Sequence, residues 1–226
     1  MTEDAVTPYY QPTLRVRLIM SGGVLAVFGA VLLFLFLTTP DGEFYKLAGC
    51  LAAYIMPGFG KESIVPIAMA LGFSWWQITL GIVASDMALA VIIAYNFDLL
   101  LRIPLLGRLL RYFTKKTNEI LQKHRWIEGL SLIGLFLFMY IPFMGSSAIN
   151  TTIVGRLLSV PPRILLTIVF VGSVLATLTM AVGMQFIINL WMMNPLFAII
   201  AVIAVVGFAV GCWKLWQRYT QKRFGS

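Results

Sequence analysis

Reactive side chains are scarce in this chain. A single histidine, His124, and two cysteines, Cys50 and Cys212, stand among 226 residues. They form no Cys/His cluster with metal-ligand spacing, so neither a metal centre nor any other cofactor is expected. The two cysteines are predicted near opposite membrane faces. A disulfide needs Cα atoms within roughly 7 Å, so none is expected. Charge is scarce too: only 12% of residues are charged, with nine acids against 17 Lys and Arg. Together with 60% hydrophobic residues and a mean hydropathy of +0.89, this excludes a soluble domain and indicates an integral membrane protein. The net charge of +8 would suit nucleic acid, but the bases flank apolar runs. They read as the cytoplasmic Lys/Arg excess that sets topology, with no nucleic-acid partner. A cleavable signal peptide is not expected either. Leu18–Leu37, preceded by Arg15 and Arg17, is longer than an h-region of about 7–15 residues, and Thr38-Thr39-Pro40 is a poor cleavage site.

What is present is a series of apolar runs, at 18–38, 47–72, 76–100, 127–160, 163–190 and 195–213. Were each to cross once, the basic segment 101–126 would share a side with the acidic Asp41 and Glu43. It would then lie opposite Arg15 and Arg17, against the positive-inside rule. If 47–72 and 127–160 instead enter and leave by one face, every basic cluster is cytoplasmic, including Arg163, Lys214, Arg218, Lys222 and Arg223. Both termini are then cytoplasmic. Length agrees: arms of about 10–12 residues span about 15–18 Å, half of an apolar core of about 30 Å.

Each of those two runs is interrupted. Tyr54-Ile-Met-Pro57-Gly58-Phe-Gly60-Lys61-Glu62 breaks the first, and Tyr140-Ile-Pro142-Phe-Met-Gly145-Ser146-Ser147-Ala-Ile-Asn150 the second. A broken helix at membrane depth is tolerated only where protein or a water-filled cavity surrounds it. Matching breaks in two halves are the sequence pointer to a transporter's substrate site. Gly60–Ile78 and Gly145–Ile164 each run from a break through mostly apolar residues to a turn, and a long helix follows. The expected fold is an all-α integral membrane protein: an inverted repeat of re-entrant hairpin plus transmembrane helix, with extra terminal helices, in one membrane domain. Between the halves, Leu105, Leu106, Leu109, Leu110 and Phe113 recur among bases. That spacing fits an amphipathic linker on the inner leaflet.

Lys61, Glu62, Asp86 and Arg156 are ionisable residues within apolar segments. A charge at that depth costs about 2.5–3.5 kcal/mol on insertion scales, so each demands a partner or water. Burial disfavours an ionised carboxylate and a nearby cation favours it; a group balanced between them can load and release a proton. Glu62 and Asp86 are the candidate proton carriers. The alternative is a static buried network in which they pair with Lys61 or Arg156 and clamp the repeats. Ser146, Ser147 and Asn150 follow Gly145 at a half-helix start, where free N–H groups and the positive dipole end favour anions. They and Lys61 would line a substrate path; capping and small-residue packing is the alternative. Arg156 either joins that path or snorkels to the inner surface. Gly60-Lys61-Glu62-Ser63 is not a nucleotide loop, since Ile55 and Glu62 stand where Gly and Ser/Thr are required.

The order Gly60-Lys61-Glu62 … Pro66 … Gly72, then Gly81 … Asp86, then Tyr140-Ile-Pro142-Phe-Met-Gly145-Ser-Ser-Ala … Gly155 resembles the DedA superfamily. It is most similar to the small multidrug export branch, found in archaea and bacteria. The resemblance covers about residues 45–190. It implies facing re-entrant hairpins and proton-driven movement of polyprenyl phosphates or phospholipids, with Glu62 and Asp86 in the acidic positions. The two arginines that flank the second break in DedA proteins are replaced by Met139-Tyr140 and Ser146-Ser147, which favours the export branch. The expected function is a proton-coupled secondary transporter or lipid flippase in a prokaryotic cell membrane. Its partners would be membrane lipids, protons and a small lipophilic or phosphate-bearing lipid substrate, with oligomerisation left open. A non-coupled scramblase or membrane scaffold is the alternative. An enzyme is not expected, since no nucleophile–base set appears.

Overall fold

A computed structural model describes residues 12–40, 42–56, 59–102, 126–141 and 147–194, with 196 and 203. Among them every regular element is helical, and no strand occurs. The helices are α1 (Leu14–Thr38), α2 (Phe44–Ile55), α3 (Lys61–Ala70), α4 (Trp75–Tyr95), α5 (Phe97–Arg102), α6 (Trp126–Tyr140), α7 (Ala148–Leu157) and α8 (Pro162–Met193). Three of these, α1, α4 and α8, are long and apolar enough to cross a membrane. With 21 residues, α4 measures about 31 Å at 1.5 Å per residue. The linker 103–125 and most of the run 195–213 lie outside the described residues.

α1 and α4 pack antiparallel, fastened by polar contacts at both ends. Pro40 follows the end of α1, where a helix cannot easily continue, and Thr39 caps the last turn through Leu35 O. Gln77 in the first turn of α4 then donates to Thr39 Oγ1 at 3.1 Å. The same Gln77 side chain accepts from Ser74 N at 3.0 Å, completing a capping box. At the other end Asn96 Nδ2 donates to Ser21 Oγ at 3.1 Å, and Arg17 pairs with Asp98. Between them Val16, Met20 and Val24 pack on Val91, Ala94 and Tyr95. The opposite face of α1 is exposed and apolar, with Leu18, Leu25, Leu33 and Phe36 on it, as expected of a lipid-facing helix.

The first interrupted run becomes α2 and α3, and α3 starts from an extended Gly60. The second becomes α6 and α7, capped by Ser147, whose Oγ accepts from Asn150 N at 3.4 Å. Pro57, Gly58, Pro142, Gly145 and Ser146 lie outside the described residues. α2 packs on α3 and α4, and α7 packs on α4 and α6. α4 comes close to α2 because Gly81 faces Leu51; an added Cβ would meet Leu51 Cδ2 at 2.8 Å. Ala90, Leu135, Met139, Ala148, Val160, Leu165 and Val169 form a dry core between α4, α6, α7 and α8.

The two short helices end alike. In α3, Phe73 N donates to Ala68 O and Gly72 has φ 93°. In α7, Val160 N donates to Gly155 O and Ser159 has φ 58°. A bond spanning five residues over a left-handed residue is the Schellman stop. α3 and α7 have ten residues each, and a long helix begins directly after both turns.

A second compact unit begins at Val182. In it Gln185 Nε2 donates to Asn189 Oδ1 at 3.1 Å. Phe186, Trp191, Met192 and Met193 are exposed.

Candidate functional site

Asp86 lies midway along α4 and is completely buried. A carboxylate there needs donors from its neighbours, and three helices supply them. From α3, Lys61 Nζ sits 3.0 Å from Asp86 Oδ2, with both side chains buried. From α8, the Ser173 hydroxyl donates to the same Oδ2 at 2.5 Å. From α2, the Tyr54 hydroxyl donates to Oδ1 at 2.5 Å. Lys61 also donates to Ser173 Oγ at 3.3 Å, so ammonium, hydroxyl and carboxylate close a triangle.

Local sequence explains the placement. Lys61 is the first residue of α3, directly after the break, so its side chain starts at the helix end. Tyr54 sits one residue before the end of α2. Ser173 neighbours Gly172, which lets α8 approach Met139 of α6; an added Cβ would meet Met139 Cγ at 2.8 Å. Charged partners in such a knot are strongly interdependent: removing one strands the other in a low-dielectric interior.

Glu62 is only partly buried. Its Oε1 is nevertheless shielded and has no hydrogen-bond partner among the described residues. The carboxylate folds back over Gly60, where any Cβ would collide with it. It is within electrostatic range of the Tyr54 hydroxyl. Pro66 stands inside α3 and has no N–H to offer the Glu62 carbonyl four residues earlier. The first turn of α3 therefore holds a shielded carboxylate oxygen with no partner among the described residues, next to a carbonyl that Pro66 cannot serve.

Ser147 and Asn150 mark the start of α7, and Asn150 is exposed. Arg156 is buried at 1% exposure, its guanidinium 5.6 Å from the centre of the Phe97 ring. In this structure it does not extend to the surface. Thus Lys61 and Asp86 are brought together, Glu62 follows Lys61 in sequence, Ser147 caps α7, and Asn150 and Arg156 lie within it. Tyr54 and Ser173 were not singled out by sequence reasoning as functional. A hydroxyl within an apolar run gives no periodic signal; spacing relative to Asp86 was the available clue. Thr152 and Thr177 are also buried, and their hydroxyls have no partner among the described residues. Among those residues no group of His, Cys, Asp and Glu could hold a metal ion.

Comparison with known proteins adds a family. A family model described as "Putative small multi-drug export protein" matches residues 62–179, just over half of the chain, from Glu62 through Asp86 and Ser173. No curated protein and no solved structure matches significantly. Three long apolar helices and this match describe a multi-pass membrane protein with an export role named for its family. The family model matches Asp86 and Ser173, while Tyr54 and Lys61 stand just before its first residue, and the chain therefore belongs to the small multi-drug export family.

Proposed function

We propose that the protein is a proton-coupled secondary exporter of small lipophilic molecules. The observation that carries this reading is the buried Lys61–Asp86 pair, held by hydroxyls from two further helices. Asp86 pairs with Lys61 and accepts from Ser173 and Tyr54. A proton arriving on Asp86 cancels the charge that holds Lys61 and turns one acceptor oxygen into a donor. The contact between α3, α4 and α8 then loosens. Proton uptake is thereby coupled to the relative positions of helices, which is what a coupled transporter requires. Glu62, partly buried and next to Lys61 in the chain, would pass the proton between water and Asp86.

In this reading α2–α3 and α6–α7 are two re-entrant hairpins entering from opposite leaflets, related as an inverted repeat. The positive-inside distribution of Lys and Arg supports opposite entry sides and cytoplasmic termini, and the motif resemblance supports a prokaryotic membrane. The ten-residue second arms and the two matching stops support the repeat. Ser146, Ser147 and Asn150 would line the path beside the second tip. Among the quoted motifs, the missing cations around Pro142–Gly145 weigh against a phosphate-bearing lipid.

Proteoliposomes loaded with ethidium, a lipophilic cation used as probe, provide the test. An imposed pH gradient should drive its movement, and Glu62→Gln with Asp86→Asn should abolish the dependence on the gradient. Gradient-driven movement that persists in the double variant would refute the proposal. Movement that equilibrates without any gradient would favour the scramblase alternative.

A further inference from the structure

One spacing recurs throughout the two halves. Lys61 begins α3 and Ala148 begins α7; Trp75 begins α4 and Pro162 begins α8. The stops Phe73 N to Ala68 O and Val160 N to Gly155 O keep the same offset, as do the left-handed residues Gly72 and Ser159. That offset is 87 residues, the separation between Asp86 and Ser173. These two residues therefore occupy equivalent positions, and they are hydrogen-bonded to each other at 2.5 Å. In a two-fold arrangement, equivalent positions meet only at the axis that relates the halves.

The equivalence is broken in chemistry. Lys61 corresponds to Ala148, which is fully buried in the apolar core with Ala90 and Val169. One half supplies the acid and its ammonium; the other supplies a hydroxyl and a methyl. We propose that Asp86 and Ser173 form a single proton-handling position shared by both halves, with Ser173 as its positioning residue. The carboxylate can then operate from either helix. Lys61 Nζ is 3.0 Å from the Asp86 oxygen and 3.3 Å from Ser173 Oγ, so an acid at either position lies within its reach. A position on the axis keeps the same relation to both halves when they exchange conformations. One acid is therefore sufficient where a repeat would otherwise carry two. The transport role of this position rests on the function proposed above.

The test exchanges the two residues. Asp86→Ser alone should abolish gradient-driven ethidium movement, a loss of about a hundredfold or more, as for removal of a group that transfers protons. Asp86→Ser with Ser173→Asp should restore it to near the wild-type rate. Independently of transport, Lys61→Met should lower the unfolding midpoint of the detergent-solubilised protein in wild type and in the exchanged chain. It should not do so in Asp86→Ser. A folded, monodisperse exchanged chain whose midpoint ignores Lys61→Met overturns the shared position. So does one whose midpoint responds while transport stays at the Asp86→Ser level. Should the exchanged chain not fold, Ser173→Ala decides: it should displace the pH profile of ethidium movement, and Ser173→Thr should leave it in place. A profile unmoved by Ser173→Ala overturns the proposal. If wild type moves no ethidium, the transport reading falls, and the midpoint comparison still decides the shared position.

Discussion

Lys61→Met should be among the most damaging single changes in the protein, and its cost can be worked from the knot around Asp86. The ammonium and carboxylate are 3.0 Å apart with side chains 3% and 1% exposed. At an effective dielectric of about 20, the Coulomb attraction at that distance is about 5.5 kcal/mol. Much of it is offset in the intact protein by the desolvation of both ions, so the pair itself adds little net stability. Removal of one partner is different, because the desolvation of the other is then uncompensated, at about 3–5 kcal/mol. Tyr54 and Ser173 still donate to Asp86 after the change, which places the expected loss near the lower end, about 3 kcal/mol. Methionine nearly matches lysine in length and leaves little cavity, so the loss reports charge and not volume. Asp86→Asn should also destabilise by stranding Lys61. The two changes together should cost less than their sum, with a coupling of about 2 kcal/mol. Unfolding in detergent, followed by intrinsic tryptophan fluorescence across the four proteins of the cycle, measures this. A coupling indistinguishable from zero would refute the ion pair as described.

Tyr54→Phe removes the donor to Asp86 Oδ1 and should cost about 1.5–3 kcal/mol, the range for a hydrogen bond to a charged group; the same unfolding measurement checks it. Gly81→Ala forces a methyl against Leu51 and should cost about 1–3 kcal/mol. Combined with Leu51→Ala the penalties should be less than additive, because the clash disappears. For topology, single cysteines replacing Glu43 and Ser74 in a chain lacking Cys50 and Cys212 should react with an impermeant maleimide from the same side. Reaction from opposite sides would dispose of the first re-entrant hairpin.

Much of the helical layout is visible in the chain because apolar runs and their punctuation are local. The first run ends at Thr38, where α1 also ends, since Pro40 and the Thr39 cap act within one turn. The gap between α2 and α3 falls at Met56–Gly60, where proline and glycine interrupt the run. Within the apolar run 76–100, α4 stops at Tyr95, and Asn96 caps it by donating to Ile92 O at 2.9 Å. Hydropathy averaged over a window does not register that stop, because Phe97, Leu99 and Leu100 keep the stretch apolar around Asp98. Within the site, sequence left several pairings open for the buried charges, and contact geometry selects Lys61 with Asp86. Tyr54 and Ser173 could not be chosen from composition, since their importance lies in which oxygen they face. That is a property of helix packing across 87 residues of chain, and no local pattern encodes it. Arg156 likewise needed the fold: only packing reveals that its guanidinium rests over Phe97.

The fastening of α4 to α1 has a mechanical consequence. Gln77 near one end and Asn96 with Asp98 near the other bind the same neighbour. A rod pinned at two distant points can neither slide nor roll by a turn without breaking both pins together. In the proposed coupling the α1 side would therefore stay in place, and whatever shifts when Asp86 changes partners would shift on the other side. There α3, only ten residues long, reaches Asp86 through its first residue, Lys61, and would be the member to move.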